Sequence, residues 1–257
     1  MTEIEQSSGH LAPPPDHVVI GLRDIHKSFG DHPVLRGVSI DVERGTSVVV
    51  MGGSGSGKSV LIKHIVRLIR PNRGAVWVNG QHVNDLDNEA MDALRLSIGY
   101  LFQGGALFDS MTVFENIDFL LRRHTTLEPA ERARRVGEAL NWVNLPDMGP
   151  QYPAELSGGQ RKRVALARAI VLEPAILLYD EPTTGLDPAS VRAVAQLIVR
   201  LREERGITSV TITHDLLCAE IIADAAHFLH EGRIAVSGSF QALRNSNHTA
   251  LRNFFGV

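Results

Sequence analysis

Cysteine is nearly absent: Cys218 is the single one among 257 residues. One thiol excludes an intrachain disulfide framework and a cysteine-built zinc site, and it fits a reducing compartment. No stretch approaches the about 18 consecutive apolar residues of a membrane-crossing helix, so the chain is not expected to span a bilayer by itself. The opening MTEIEQSSGHLAPPPDH has neither a basic start nor an apolar run, and does not read as a signal peptide. An excess of one charge is missing too. Lys and Arg number 26 against 29 Asp and Glu, a formal charge of −3, which leaves no basic footprint for nucleic acid. Internal repeats and low-complexity segments are lacking beyond the start. The expectation is a cytoplasmic protein with no nucleic-acid partner.

Hydrophobic residues make up 44% and charged residues 21%, enough apolar surface to offset chain entropy and exclude disorder as the main state. The length fits one large domain, or a core with a subdomain, at roughly 100–200 residues per domain. Residues 1–17, with Pro13, Pro14 and Pro15, read as a flexible tail leaning to polyproline II. Residues 18–257 read as a single domain. VVIGLRDIHKSF (18–29) and HPVLRGVSIDVERG (32–45) read as strands, the second closed by a glycine turn. SVVVMGG (47–53) is a short, continuous apolar run, the mark of a strand buried on both faces of a parallel sheet. A helix is expected over 59–70, stopped by Pro71, and a mostly helical stretch over about 88–165. AILLYD (175–180) and ITSVTIT (207–213) read as further strands separated by an amphipathic helix. A strand pair about Gly232 and a helix ending in Phe254 and Phe255 close the chain. Alternating strands and helices predict an α/β parallel sheet with a helical insertion.

Gly52-Gly53-Ser54-Gly55-Ser56-Gly57-Lys58-Ser59 matches the pattern G-x-x-x-x-G-K-[ST], with the required buried strand before it and helix after it. The glycines let backbone N–H groups turn inward to phosphates, and the following helix aims its positive dipole end at the same anion. Lys58 can then reach the β- and γ-phosphates, and the Ser59 hydroxyl can ligate Mg²⁺. Asp180 and Glu181 stand at the end of an apolar strand, where adjacent carboxylates are costly unless a cation or water occupies the position. Asp180 is placed to hold Mg²⁺ through water, and Glu181 to polarise an attacking water. The alternative for this pair is a plain acidic turn before Pro182.

Leu156-Ser157-Gly158-Gly159-Gln160 opens a helix, and by itself Ser157 is simply a good N-cap. Together with the two preceding elements, this segment resembles the signature motif of the ABC-type ATPases, and the resemblance runs from Val18 onward with the motifs in the same order. It implies a P-loop NTPase fold of ABC type: a RecA-like α/β core, an antiparallel β subdomain and an inserted helical subdomain. Phe29 lies where the family stacks an aromatic on adenine. Gln103 matches the glutamine that senses Mg²⁺ and the attacking water, Asp187 the loop communicating across a dimer, and His214 the histidine contacting the γ-phosphate. Two departures stand out. Val60, in the nucleotide-binding loop, replaces a second hydroxyl, but Ser59 keeps the metal-ligand role and activity is expected. Thr184 with Gly185 replaces a common serine and alanine, a change expected to alter dimer coupling slightly.

The resemblance further implies two copies meeting head to tail, with ATP between the phosphate loop of one and Ser157, Gly158, Gly159 and Gln160 of the other. The segment FQGGALFDSMTVFENI (102–117) places small residues before Leu107 and Phe108, a step suited to receiving a short helix from a permease, or to plain core packing. It looks like the ATPase subunits of Mce-type (Mla-like) phospholipid transporters. That likeness implies integral permease subunits, an Mce-type lipid-binding protein, a small accessory subunit, and a place on the cytoplasmic face of the bacterial inner membrane. Amino-acid and lipoprotein transporter ATPases share much of the segment, and a regulatory ATPase gating a cell-envelope permease without cargo is the other alternative. Single-domain length and acidic balance argue against DNA-repair and translation relatives, and the signature at Ser157 against a P-loop kinase. The chain ends at Val257, from which no appended regulatory domain is expected.

Overall fold

A computed structural model describes residues 12–256. Residues 1–11 of the expected tail lie outside the described residues. Within 12–17, Pro14 is half-buried next to Gly21, and the Val18 N–H donates to the Pro15 carbonyl at 2.9 Å.

The chain begins with β1 (Val18–Phe29) and β2 (His32–Glu43), a long antiparallel hairpin. β3 (Ser47–Met51) and α1 (Lys58–Ile65) follow, then β4 (Arg73–Val78) and β5 (Gln81–His82). After α2 (Asn88–Leu96) and β6 (Ile98–Leu101) come α3 (Val113–His124), α4 (Pro129–Trp142) and α5 (Gly158–Ile170). The second half runs β7 (Ile176–Asp180), α6 (Pro188–Arg205), β8 (Thr208–Thr213), α7 (Leu216–Ile222), β9 (Ala225–His230), β10 (Arg233–Gly238), α8 (Phe240–Arg244) and α9 (Thr249–Phe255).

Two sheets result. A four-stranded antiparallel sheet has the order β2-β1-β4-β5. A six-stranded sheet has the order β10-β9-β3-β8-β7-β6, parallel throughout except for its β10 edge. The period-2 alternation of a strand divides the core. In β3, Val48 and Val50 join the cluster under the antiparallel sheet, with Ile20, Leu22 and Ile62. Val49 and Met51 face the other cluster, formed with α3–α7. An apolar run without alternation is what a strand covered on both faces needs.

The helix expected over 59–70 ends at Ile65, because Arg67 adopts a left-handed backbone (φ 51°) and the Leu68 N–H turns back to the Lys63 carbonyl at 3.0 Å. The guanidinium of Arg67 holds that turn by donating to the carbonyls of Val83 and Leu86. Strands β4 and β5 were not expected. The stretch read as helical over 88–165 contains β6, an edge strand of the main sheet, with α5 packed on it.

Asn116, fully buried in α3, shapes the loop before that helix. It accepts from the Phe108 N–H at 2.7 Å and donates to the carbonyls of Phe108, Met111 and Thr112, each at 3.0 Å. Asn116→Ala strands several backbone groups. Each buried orphan costs about 1–3 kcal/mol, and the loop's partial exposure lets water recover some of them. The expected loss is about 2 kcal/mol, read as a lower midpoint in urea unfolding at unchanged slope.

Candidate functional site

The phosphate loop spans the exit of β3 and the start of α1, at the end of the parallel sheet where open α/β folds bind ligands. Its glycines are needed at two positions in particular. Gly57, the N-cap of α1, has φ 103°, and a Cβ there would meet Leu35 and Val34 of β2 at 2.9 and 3.1 Å. Gly52 has no such dihedral, but its Cβ would lie 2.5 Å from the Leu229 carbonyl oxygen. Gly53, Ser54 and Gly55 are exposed at the crest. The Ser56 hydroxyl is buried with no hydrogen-bond partner, an orphan that a phosphate oxygen would satisfy. Val60 is half-buried against the antiparallel-sheet cluster.

Lys58 is 7% exposed, donates to the carbonyls of Gly52 (2.8 Å) and Gly53 (3.0 Å), and faces Glu181 Oε1 at 3.8 Å. Burial pushes its ammonium below the ordinary lysine value, opposed by the charges of Glu181 and Asp180. The Ser59 hydroxyl donates to Asp180 Oδ1 at 3.1 Å. Burial lifts the Asp180 carboxyl above its usual range, opposed by hydrogen bonds from Ser59 and Tyr100 and the charge of Lys63. A hydroxyl and a carboxylate in contact form an all-oxygen donor set that suits Mg²⁺.

Glu181 follows β7 in a left-handed conformation, φ 52°, with its N–H donating to the Ile212 carbonyl of β8 at 2.9 Å. That turn aims its carboxylate at the end of β8. Oε2 lies 2.9 Å from His214 Nδ1 and accepts from Thr184 Oγ1 at 3.2 Å, with Thr213 Oγ1 and the His214 N–H at 3.4 Å. Lys58, Ser59, Asp180, Glu181 and His214, read from three separate motifs, therefore meet in one place.

Other expected residues lie elsewhere. Phe29 is 51% exposed at the tip of the β1–β2 hairpin, whose Val34 and Leu35 flank Gly57; Lys27 Nζ sits 5.3 Å from its ring centroid. The Gln103 side chain is exposed after β6, while its carbonyl accepts from Lys162 Nζ. Ser157 caps α5 in a reciprocal box, with Gln160 N–H donating to Ser157 Oγ at 3.2 Å and Ser157 N–H to Gln160 Oε1 at 2.8 Å. Gly158 and Gly159 open that helix beside Leu186 and Ser190. Asp187 caps α6 through Ala189 N–H and Ser190 N–H, each 3.0 Å, and Ser190 Oγ at 2.6 Å; these bonds, led by Ser190, hold its carboxyl below the usual range. Among the described residues, no hydrogen bond joins the 157–160 loop to residues 52–59.

Two residues at the site were not anticipated. Tyr100 of β6 donates to Asp180 Oδ2 at 3.4 Å. Lys162 of α5 is 7% exposed and reaches the backbone of Glu181. Its signal was present: Lys162 begins the stripe Lys162, Ala165, Leu166, Ala169, a charge on the buried face of an amphipathic helix.

Residues 35–184 match the family model described as ABC transporter. The chain is 36% identical over 240 residues to the "Probable ribonucleotide transport ATP-binding protein mkl" of Mycobacterium leprae (strain TN), covering 93% of this chain and 69% of that protein. It is 37% identical over 220 residues to the "Methionine import ATP-binding protein MetN" of Brucella abortus (strain 2308), covering 86% of this chain and 59% of that one. The "Dimeric structure of a post-hydrolysis state of the ATP-binding cassette MJ0796 bound to ADP and Pi" superposes with a TM-score of 0.79 at 32% identity, over 86% of this chain and 98% of that chain. With a phosphate loop, paired carboxylates and a histidine converging as described, the chain belongs to the ABC transporter family, as an ATP-binding, ATP-hydrolysing domain.

Proposed function

We propose that this ATPase drives a membrane permease by ATP-dependent dimerisation, and that the cargo is phospholipid moved across or between bacterial membranes. The hydrolytic part rests on the convergence of Lys58, Ser59, Asp180, Glu181 and His214. Lys58 and the loop amides bind the β- and γ-phosphates. Ser59 and Asp180 would hold Mg²⁺, with Gln103 as a further ligand, and the chemistry it would supply there is neutralisation of phosphate charge. Glu181 takes a proton from the attacking water, and His214, hydrogen-bonded to its carboxylate, faces the γ-phosphate. Phe29 stacks on the adenine.

A signature loop that lies beside Leu186 and Ser190, with no hydrogen bond to its own phosphate loop among the described residues, suits service to a second copy. The amides of Gly158 and Gly159 at the start of α5 then face the γ-phosphate bound by the partner, and Asp187 lies at the same contact. The dimeric form of the similar cassette supports this arrangement. ATP draws the copies together and hydrolysis releases them, a nucleotide-biased two-state element.

The lipid reading is carried by the 102–117 segment. Of the expected pair, Phe108 (43% exposed) stands open in the Asn116-held loop as an apolar step for a permease helix, whereas Leu107 is half-buried against the core. The partners are integral permease subunits, an Mce-type lipid-binding protein and a small accessory subunit, with the ATPase peripheral on the cytoplasmic face of the inner membrane. Amino-acid import is the second reading, favoured by the methionine-import relative.

The test is to purify tagged Glu181→Gln protein with ATP from gently solubilised membranes. A permease, an Mce-domain protein and bound phospholipid are expected to co-purify. A permease with an amino-acid-binding protein and no lipid would overturn the cargo.

A further inference from the structure

Lys162 stands at the start of the second turn of α5, 7% exposed, and its Nζ donates to two backbone carbonyls from separate strands' ends. One is Gln103, after β6; the other is Glu181, after β7, at 3.2 Å. Among the described residues it forms no ion pair with a side chain, although Asp180 and Glu181 are near enough to counter part of the burial that lowers its ammonium below the ordinary value. A buried ammonium is expensive, and helix packing alone would be served as well by an apolar side chain of the same length. Its neighbours anchor elsewhere: Arg161 donates to the Leu156 carbonyl and Arg163 to that of Val143. Arg168 of the same helix donates to the carbonyls of Gly105 and Ala106, each at 2.8 Å, so Lys162 is the α5 side chain whose hydrogen bonds reach Gln103 and Glu181 themselves.

Glu181 needs such a tie. A glutamate at φ 52° is in a sparsely populated region, costing of order 1 kcal/mol or more unless its surroundings fix it. Its N–H is fixed by the Ile212 carbonyl, and its own carbonyl accepts from Lys162 at 3.2 Å and from the Thr184 N–H at 3.4 Å. Between them they set the direction in which the carboxylate leaves the chain, toward His214 Nδ1.

We infer that Lys162 is a positioning residue for hydrolysis: it clamps the main chains of Gln103 and Glu181 together and couples them to the helix whose first turn carries Ser157–Gln160. This rests on Glu181 acting as the base. Closure of the signature loop on a partner's nucleotide then bears on the carboxylate of its own subunit through Lys162.

Two variants test it in the full-length protein. Lys162→Met keeps the stem and removes the donors; Lys162→Arg restores them. Lys162→Met is expected to lower kcat about 10- to 100-fold, the factor a lost charge-assisted hydrogen bond represents when it acts in the transition state. The KM for ATP, the affinity for a fluorescent nucleotide and the melting temperature should stay near those of the parent, and Lys162→Arg should recover most of kcat. An unchanged kcat in Lys162→Met would overturn the role, as would a loss matched by equal loss of nucleotide affinity or of folded protein. Glu181→Gln assayed alongside separates the two claims. Normal hydrolysis there removes the base assignment, whereas an inactive Glu181→Gln beside a fully active Lys162→Met removes the clamp alone.

Discussion

Lys58→Ala is expected to weaken ATP binding about 100- to 1000-fold while leaving the fold intact. The ammonium is enclosed by the phosphate loop, with Gly52 and Gly53 carbonyls on one side and Glu181 3.8 Å away on the other. Few charged contacts are as well shielded from water, so its loss resembles truncation of a buried charge partner, about 3–4 kcal/mol, at 1.4 kcal/mol per tenfold. The substitution also leaves Glu181 without the cation that faces it at 3.8 Å, so its negative charge repels phosphates more strongly. Fold stability should change far less, because burial already disfavours this ammonium. Equilibrium binding of a fluorescent ATP analogue, beside a urea unfolding curve, reads both quantities. Affinity within a fewfold of the parent would remove Lys58 from the phosphate site.

Glu181→Gln should cut steady-state hydrolysis about 1000-fold with ATP affinity retained, in the range general-base catalysis contributes. Glutamine has the same shape and keeps an oxygen for the donors around Oε2, His214 Nδ1, Thr184 and Thr213, so the left-handed turn survives. What it lacks is the capacity to take a proton. Single-turnover hydrolysis measured by quench should slow by the same factor, since the chemical step itself is affected. Normal steady-state turnover would contradict the assignment and leave water activation to another group.

Much of the centre was legible because its chemistry is contiguous. Residues 52–59 are one loop, and Asp180 with Glu181 is one strand end, so no tertiary knowledge is needed to place either. β3 was legible because valine on both faces has no other use in a short run. Long-range features were not. Arg67 leaves the helix although the pattern Val66, Leu68, Ile69 continues it, because carbonyls of Val83 and Leu86 capture its guanidinium from 16 and 19 residues away. β6 is only four residues long, too short for its period to stand out from the helices around it, and its place is set by pairing with β7. Lys162 sits among Arg161 and Arg163, and a run of basic residues reads as a solvated face until the buried stripe is counted. The signature loop shows the opposite case. Its capping box is local and visible, whereas the service proposed for it involves a second molecule, which local pattern does not encode.

That service is the central claim, and the mass of the Glu181→Gln protein in solution tests it most directly. Light scattering with ATP and Mg²⁺ should give twice the chain mass, falling to one chain without nucleotide. Adding Ser157→Arg, which places a bulky cation where the partner's γ-phosphate would lie, should return the protein to a monomer that still binds ATP through its own phosphate loop. A monomer in Glu181→Gln at saturating ATP, or a dimer indifferent to Ser157→Arg, would contradict a site shared between two copies.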